Sequence, residues 1–188
     1  MIIPLRRSAG AKKGLIKSLR EDSARYEDPW KDPAYWTMAV YRFGRWAMEA
    51  RAPVKPMASK VYGGLRLALE LVTHNTIHRE AKIGEGFTLL HGGSVHIHPG
   101  SVIGERVTIM HEVTLGTNTN PQRTDNGAPV IGDDVFIGAG AKILGPVRIG
   151  DGAVIAANSL VLADVPAGAT AAGVPARILR FNGRDQAS

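Results

Sequence analysis

From residue 76 onward, aliphatic side chains return at every sixth position. The clearest run is Ile131, Ile137, Ile143, Ile149, Ile155 and Val161. Four places after each stands a small or branched residue: Val135, Ala141, Val147, Ala153, Ser159 and Val165. Upstream the same beat passes through Ile77, Ile83 and Leu89, then Ile97, Ile103, Ile109 and Leu115. An amphipathic helix repeats every ~3.6 residues and a half-buried strand about every two. A period of six fits neither and predicts a parallel β-helix. Each hexapeptide then supplies one short strand and one turn, and three of them close a triangular coil. The aliphatic residue points inward onto its copy in the next coil, and the small residue lets the chain turn the corner.

Residues 1–75 follow a different pattern. Leu15, Leu19 and the run Met38-Ala39-Val40-Tyr41 have helical spacing, with Pro29, Pro33, Pro53 and Pro56 as punctuation. Trp30, Trp36 and Trp46 all fall here and are expected to anchor helix packing. The predicted organisation is a helical region over 1–75, a β-helix over 76–180 and a short tail over 181–188. A stack of coils buries its faces only against neighbours, so its ends need caps. The helices and the stretch from Ala171 to Phe181 are expected to supply them. Two interruptions break the beat: two extra residues between Leu89 and Ile97, and a polar loop over 117–129. The loop adjoins several histidines and is read as a functional arm.

Composition narrows the chemistry. With no cysteine, the chain has no disulfide framework, thiolate nucleophile or Cys-ligated zinc. The formal net charge is +6, with cations early in the chain at Arg6, Arg7, Lys12, Lys13, Lys17 and Arg20. No finger, RNA-binding or helix-turn-helix signature accompanies them, so nucleic acid is not the expected partner. A polyanionic co-substrate, or peripheral contact with an anionic membrane face, would use the same charge. No signal peptide is legible, and the apolar stretch Leu67–Val72 is short and contains Glu70, so a cytoplasmic protein is expected.

The period also predicts which residues line up. Three hexapeptides make a coil, so Leu89, Ile109, Ile137 and Ile155 fall on one face if each insertion bulges out without shifting the phase. The residues two places on, His91, His111, Ala139 and Ala157, then form one vertical ladder that climbs ~4.8 Å per coil. Its small upper residues would let an extended ligand chain approach the backbone, with imidazoles at the bottom. His91 follows Leu89-Leu90 and precedes Gly92-Gly93, an apolar strand ending in a permissive turn. It is the candidate general base, with His111 a second candidate for a direct role. His74 and His78 sit at the junction and are read as structural or surface groups. His96 and His98 flank Ile97 and face one way, but no third ligand accompanies them, so no metal is expected.

Several stretches carry a family resemblance. Thr76-Ile77-His78, Ile83-Gly84-Glu85-Gly86, His91-Gly92, Val113-Thr114-Leu115-Gly116, the run Ile137 to Gly145, and Ala171-Ala172-Gly173-Val174-Pro175-Ala176-Arg177 resemble serine O-acetyltransferases of the hexapeptide-repeat superfamily. The resemblance covers roughly 76–180 and extends to Leu19-Arg20-Glu21-Asp22, Asp28-Pro29 and Tyr41-Arg42. It implies a left-handed β-helix, a homotrimer with active sites between subunits, acetyl-CoA along the helix edge, and His91 in the catalytic histidine's position. Ala139 and Ala157 fall where the family contacts pantetheine, in line with the ladder. Gly116, Lys142 and Arg177 complete the cofactor-binding candidates, Gly116 as a backbone donor to the oxyanion.

Three positions depart from the family pattern. Thr76 stands where the family has the aspartate partner of its histidine. Leu90 stands where it has an aspartate for serine, and Gly127-Ala128-Pro129 where it has an Arg-His pair. A zwitterionic acceptor needs both countercharges on desolvation. The favoured acceptor is therefore a sugar hydroxyl, as in the exopolysaccharide O-acetyltransferases of the superfamily. Serine O-acetylation in cysteine biosynthesis is the alternative, and a non-catalytic trimeric scaffold is a third reading.

Overall fold

The computed structural model describes residues 14–118 and 127–181. The cations at Arg6, Arg7, Lys12 and Lys13, most of the 117–129 loop and the tail beyond 181 lie outside the described residues. Three helices come first: α1 (Leu15–Ser23), α2 (Pro33–Glu49) and α3 (Val54–Thr73). The strands are β1 (Thr76–Ile77), β2 (Lys82–Ile83), β3 (Thr88–Leu90), β4 (His96–Ile97), β5 (Val102–Ile103), β6 (Thr108–Met110), β7 (Thr114–Gly116), β8 (Val130–Ile131), β9 (Phe136–Ile137), β10 (Lys142–Leu144), β11 (Arg148–Ile149), β12 (Val154–Ile155), β13 (Leu160–Val161), β14 (Ala169–Gly173) and β15 (Ala176–Phe181).

Every third strand pairs in parallel, which makes a left-handed β-helix of about four turns. Among the described residues its three faces are the sheets β1-β4-β7-β10-β13, β2-β5-β8-β11 and β3-β6-β9-β12-β14-β15. The six-residue beat becomes three inward columns. One is Ile77, Ile97, Leu115, Ile143 and Val161, the second Ile83, Ile103, Ile131 and Ile149, the third Leu89, Ile109, Ile137, Ile155 and Ala171. All are buried. Corners demand close approach: a methyl group added at Gly104 would strike the backbone of Gly132 and the Asp133 side chain in the next coil. Truncating one inward rung, Ile137→Ala, is expected to cost about 2–5 kcal/mol, read as a lowered urea midpoint.

The helices close the open end of the first coil by supplying polar atoms where no earlier coil exists. The Ile83 N–H on β2 donates to Tyr41 Oη (3.1 Å) and the Leu89 N–H on β3 to Tyr26 Oη (3.0 Å). At the entry to β1, Asn75 Oδ1 accepts the Val95 N–H of the second coil (3.0 Å). The two tyrosine bonds thus fall on two of the three faces, those of β2 and β3. Burial pushes the Tyr26 and Tyr41 hydroxyls well up from the ordinary phenol value, so both stay protonated. Tyr41 passes its own proton to the Ala81 carbonyl (2.8 Å). Arg42 donates to the Ile83 carbonyl (2.7 Å) and pairs in bidentate fashion with Asp22 (2.8 and 3.1 Å), both side chains buried.

The tryptophans depart from expectation. Trp30, Trp36 and Trp46 are 70%, 40% and 41% exposed, whereas Tyr35, Met38 and Tyr41 make the buried contact. The cap needs phenolic hydroxyls for the first coil's N–H groups, and this selects tyrosine for the inner face of α2. The indoles pack with rings on the outside, Trp30 against Trp36 and Phe43 against Trp46. At the far end β15 turns back antiparallel on β14. No helix among the described residues is long and apolar enough to cross a membrane.

Candidate active site

The paired strands place Leu89, Ile109, Ile137 and Ile155 in one register, so the ladder inferred from the period lies on one edge of the prism. Backbone bonds carry it through the corner: the Gly140 N–H meets the His111 carbonyl (3.0 Å) and the Asn158 N–H the Ala139 carbonyl (2.8 Å). The lowest rung is different. In the three upper coils the left-handed residue at this corner is the third after the inward aliphatic: Glu112 (φ 60°), Gly140 (72°) and Asn158 (56°). In the first coil it is the second, His91 (φ 53°), with Ser94 (56°) behind it. The two inserted residues are absorbed here, so the backbone at the His91 corner differs from that of the corners above it. A non-glycine residue with positive φ is strained, and such strain concentrates at functional sites.

His91 is exposed. Its corner is buttressed by the start of α2, where Asp32 caps the helix by accepting the Ala34 N–H (2.8 Å) and Pro33 occupies the first turn. Gly92 lies so close to Ala34 that an added methyl group would sit 2.8 Å from its Cβ. The start of α2, with Asp32 two residues before Ala34, thus packs on the turn at Gly92 that follows His91. Sequence reading missed this neighbour, although Asp32-Pro33 is a legible helix start.

His111 is half-buried, and its Nδ1 is buried with no hydrogen-bond partner among the described residues. Lys142, just past the corner on β10, donates from Nζ to the Glu112 carbonyl. Ala139 is half-buried and Ala157 exposed, leaving a shallow wall above the imidazoles. The remaining candidates lie apart within one chain. Gly116 ends β7 at the far side of its sheet, where its carbonyl accepts the Gly145 N–H (3.0 Å). Arg177 is exposed on β15, opposite Ala172, beyond the top of the ladder.

The other histidines stand outside this corner. His74 ends α3 in the left-handed conformation. His98 Nδ1 accepts the Gly100 N–H (3.0 Å). Thr76, at the aspartate position of the family pattern, donates its hydroxyl to Glu70 Oε1 (2.8 Å), so a carboxylate reaches that position from α3. No group of three or more His, Cys, Asp or Glu side chains among the described residues gathers as a metal site.

Within this triangular parallel prism, residues 128–163 match the bacterial transferase hexapeptide (six repeats) family. The chain belongs to the hexapeptide-repeat transferases. Within that superfamily its relatives are serine acetyltransferases. Serine acetyltransferase 4 of Arabidopsis thaliana is 38% identical over 176 residues, which is 90% of this chain and 48% of the relative. The Salmonella typhimurium serine acetyltransferase is 38% identical over 154 residues, 82% of this chain and 54% of the relative. Among solved structures, Brucella abortus serine acetyltransferase superposes with a TM-score of 0.76 at 31% identity, over 89% of this chain and 70% of that one. The same enzyme in complex with coenzyme A gives 0.74, over 90% and 67%. The chain spans about half the length of the curated relatives it matches.

Proposed function

We propose that the chain is an acetyl-CoA-dependent O-acetyltransferase that uses His91 as general base. The observation that carries this reading is the shared register of the His91 corner with Ala139 and Ala157. Small side chains on successive coils leave room for an extended thioester arm that ends at the imidazole. His91 takes the proton from the acceptor hydroxyl as its oxygen attacks the thioester carbonyl. The C–S bond then breaks, and the protonated imidazole returns the proton to the departing thiolate. Lys142 and Arg177 are the cations on the path of a phosphorylated co-substrate. Gly116 lies too far along its sheet to reach the His91 column of its own chain. That separation supports a trimer in which a neighbouring subunit completes each site. Glu70, held on Thr76, is the carboxylate available to orient the imidazole.

For the acceptor, the serine acetyltransferase relatives favour serine over the sugar expected from sequence, and Asp32 beside the corner offers an anion for an ammonium group. The sugar reading keeps one specific observation. Leu90 is 37% exposed beside His91, where a charged group would be needed for an amino acid. Thiol release from acetyl-CoA with L-serine and with a panel of sugars, in parallel, separates them. Serine-dependent release supports the first reading, and release with sugars alone supports the second. No binding of coenzyme A at millimolar concentration would reject both.

The ladder makes a further demand. Ala139→Leu is expected to raise KM for acetyl-CoA at least about tenfold, with a smaller change in kcat, because the added bulk blocks the arm rather than the base. Initial rates over a range of acetyl-CoA concentrations check it.

A further inference from the structure

We infer that His98 holds the carboxylate of an amino-acid acceptor and so sets the enzyme's choice of substrate. The inference rests on the acetyl-transfer reading above and on its serine branch. Strand β4 turns Ile97 inward, and His98 follows it at the corner that leads to β5. Ile97 pairs with Leu115, and the His98 N–H donates to the Leu115 carbonyl (2.9 Å). His98 therefore stands one coil below Gly116, on the edge that a subunit lends to its neighbour's His91 in the trimer reading.

The backbone fixes the chemical state of the ring. The Gly100 N–H donates to His98 Nδ1 (3.0 Å). A ring nitrogen that accepts a hydrogen bond carries no hydrogen, so the imidazole N–H is at Nε2. Nε2 has no hydrogen-bond partner among the described residues. The half-buried ring thus presents one oriented donor and no spare acceptor. A carboxylate is the matching group, because it accepts and cannot donate. A sugar hydroxyl does both, and half of its capacity would go unmet here.

A second observation places this donor where the loop over 117–129 returns to the prism. A methyl group added at Gly100 would lie 3.3 Å from Ala128 Cβ and 3.3 Å from His98 Nδ1. Ala128 and the imidazole therefore flank one small gap. Ala128 brings only a methyl group to it, so the polar contact there falls to His98. A carboxylate that leaves water needs such a donor, and hydrogen bonds to a charged oxygen are the stronger kind.

The test compares two acceptors that share a hydroxyl and an ammonium group: L-serine, and ethanolamine, which lacks the carboxylate. The wild type is expected to favour serine in kcat/KM. His98→Asn deletes the Nε2 donor yet keeps an oxygen for the Gly100 N–H, since an asparagine side chain bonds the backbone two residues on. It is expected to raise KM for serine at least about tenfold with KM for acetyl-CoA unchanged, and to shrink the preference for serine over ethanolamine by the same factor. His98→Gln, whose longer side chain returns an N–H near the Nε2 position, is expected to keep most of the preference. Loss of rate with both acceptors alike is the mark of a structural role and overturns the proposal. A wild type that acetylates sugars but not serine removes the amino-acid acceptor, and the proposal with it. Serine turnover with an unchanged preference in His98→Asn leaves the acceptor standing and removes only His98.

Discussion

Replacing His91 is expected to lower kcat for thiol release at least about 100-fold, the usual worth of positioned acid–base help. The exposed ring makes no hydrogen bond among those described and lines no core, so its loss should leave the fold standing. The backbone complicates the choice of variant, because φ of 53° is unfavourable for most residues. Asparagine tolerates that conformation and cannot serve as the base, so His91→Asn isolates the chemistry while His91→Ala adds backbone strain. Both should lose kcat alike, with the asparagine variant keeping the wild-type melting temperature. A folded His91→Asn enzyme with unchanged kcat would remove the histidine from its role.

The second large effect is on stability. Arg42→Met is expected to cost about 3–5 kcal/mol, since it leaves Asp22 buried without its guanidinium partner. The loss also strips the Ile83 carbonyl of a donor at the edge of the first coil. Burial, the largest influence on Asp22, raises its carboxyl above the ordinary value, and Arg42 opposes that rise. Without Arg42 the pKa climbs further. A folded-state pKa above the unfolded one gives stability that is present below the unfolded value of about 4 and lost as pH rises through the folded value. The deficit of the variant should thus be smallest in acid and grow toward neutrality. Urea midpoints from pH 4 to 8 measure this. An Asp22→Leu/Arg42→Met pair should recover most of the loss, because an apolar pair of similar volume needs no countercharge. A deficit below about 1 kcal/mol for the single variant would mean that the pair is not holding the cap.

How far the sequence reached depended on whether a constraint was local or long-range. Every coil repeats the same demand for one inward aliphatic residue, so Ile131 through Val161 spell the prism without reference to anything distant. The register of His111, Ala139 and Ala157 follows from the same count. The twist at His91 does not, because the run from His91 to Ser94 contains four residues able to absorb an insertion, and the period says nothing about which one turns left-handed. The cap was less legible still. Tyr26, Tyr41 and Asn75 are each chosen by an N–H group 20 or more residues away. No spacing rule marks them, and the tryptophans drew attention by size while the tyrosines made the contact. The acceptor is the hardest part to read, since Gly127-Ala128-Pro129 returns from a loop mostly outside the described residues and Leu90 is uncharged.

The reversed last strand bears on how many such molecules can join end to end. A pile of parallel rungs is the repeating unit of a fibre, and each end of the pile is a template for the next rung. Here the helical layer occupies the first rung's donors. At the other end β15 lies against β14 in the opposite sense, so an incoming parallel strand on that face finds its edge already taken by a strand of the wrong direction. Growth along the axis is thereby blocked on that face by the chain itself. Lateral contacts, along the prism faces and the helices, remain the routes by which copies can associate.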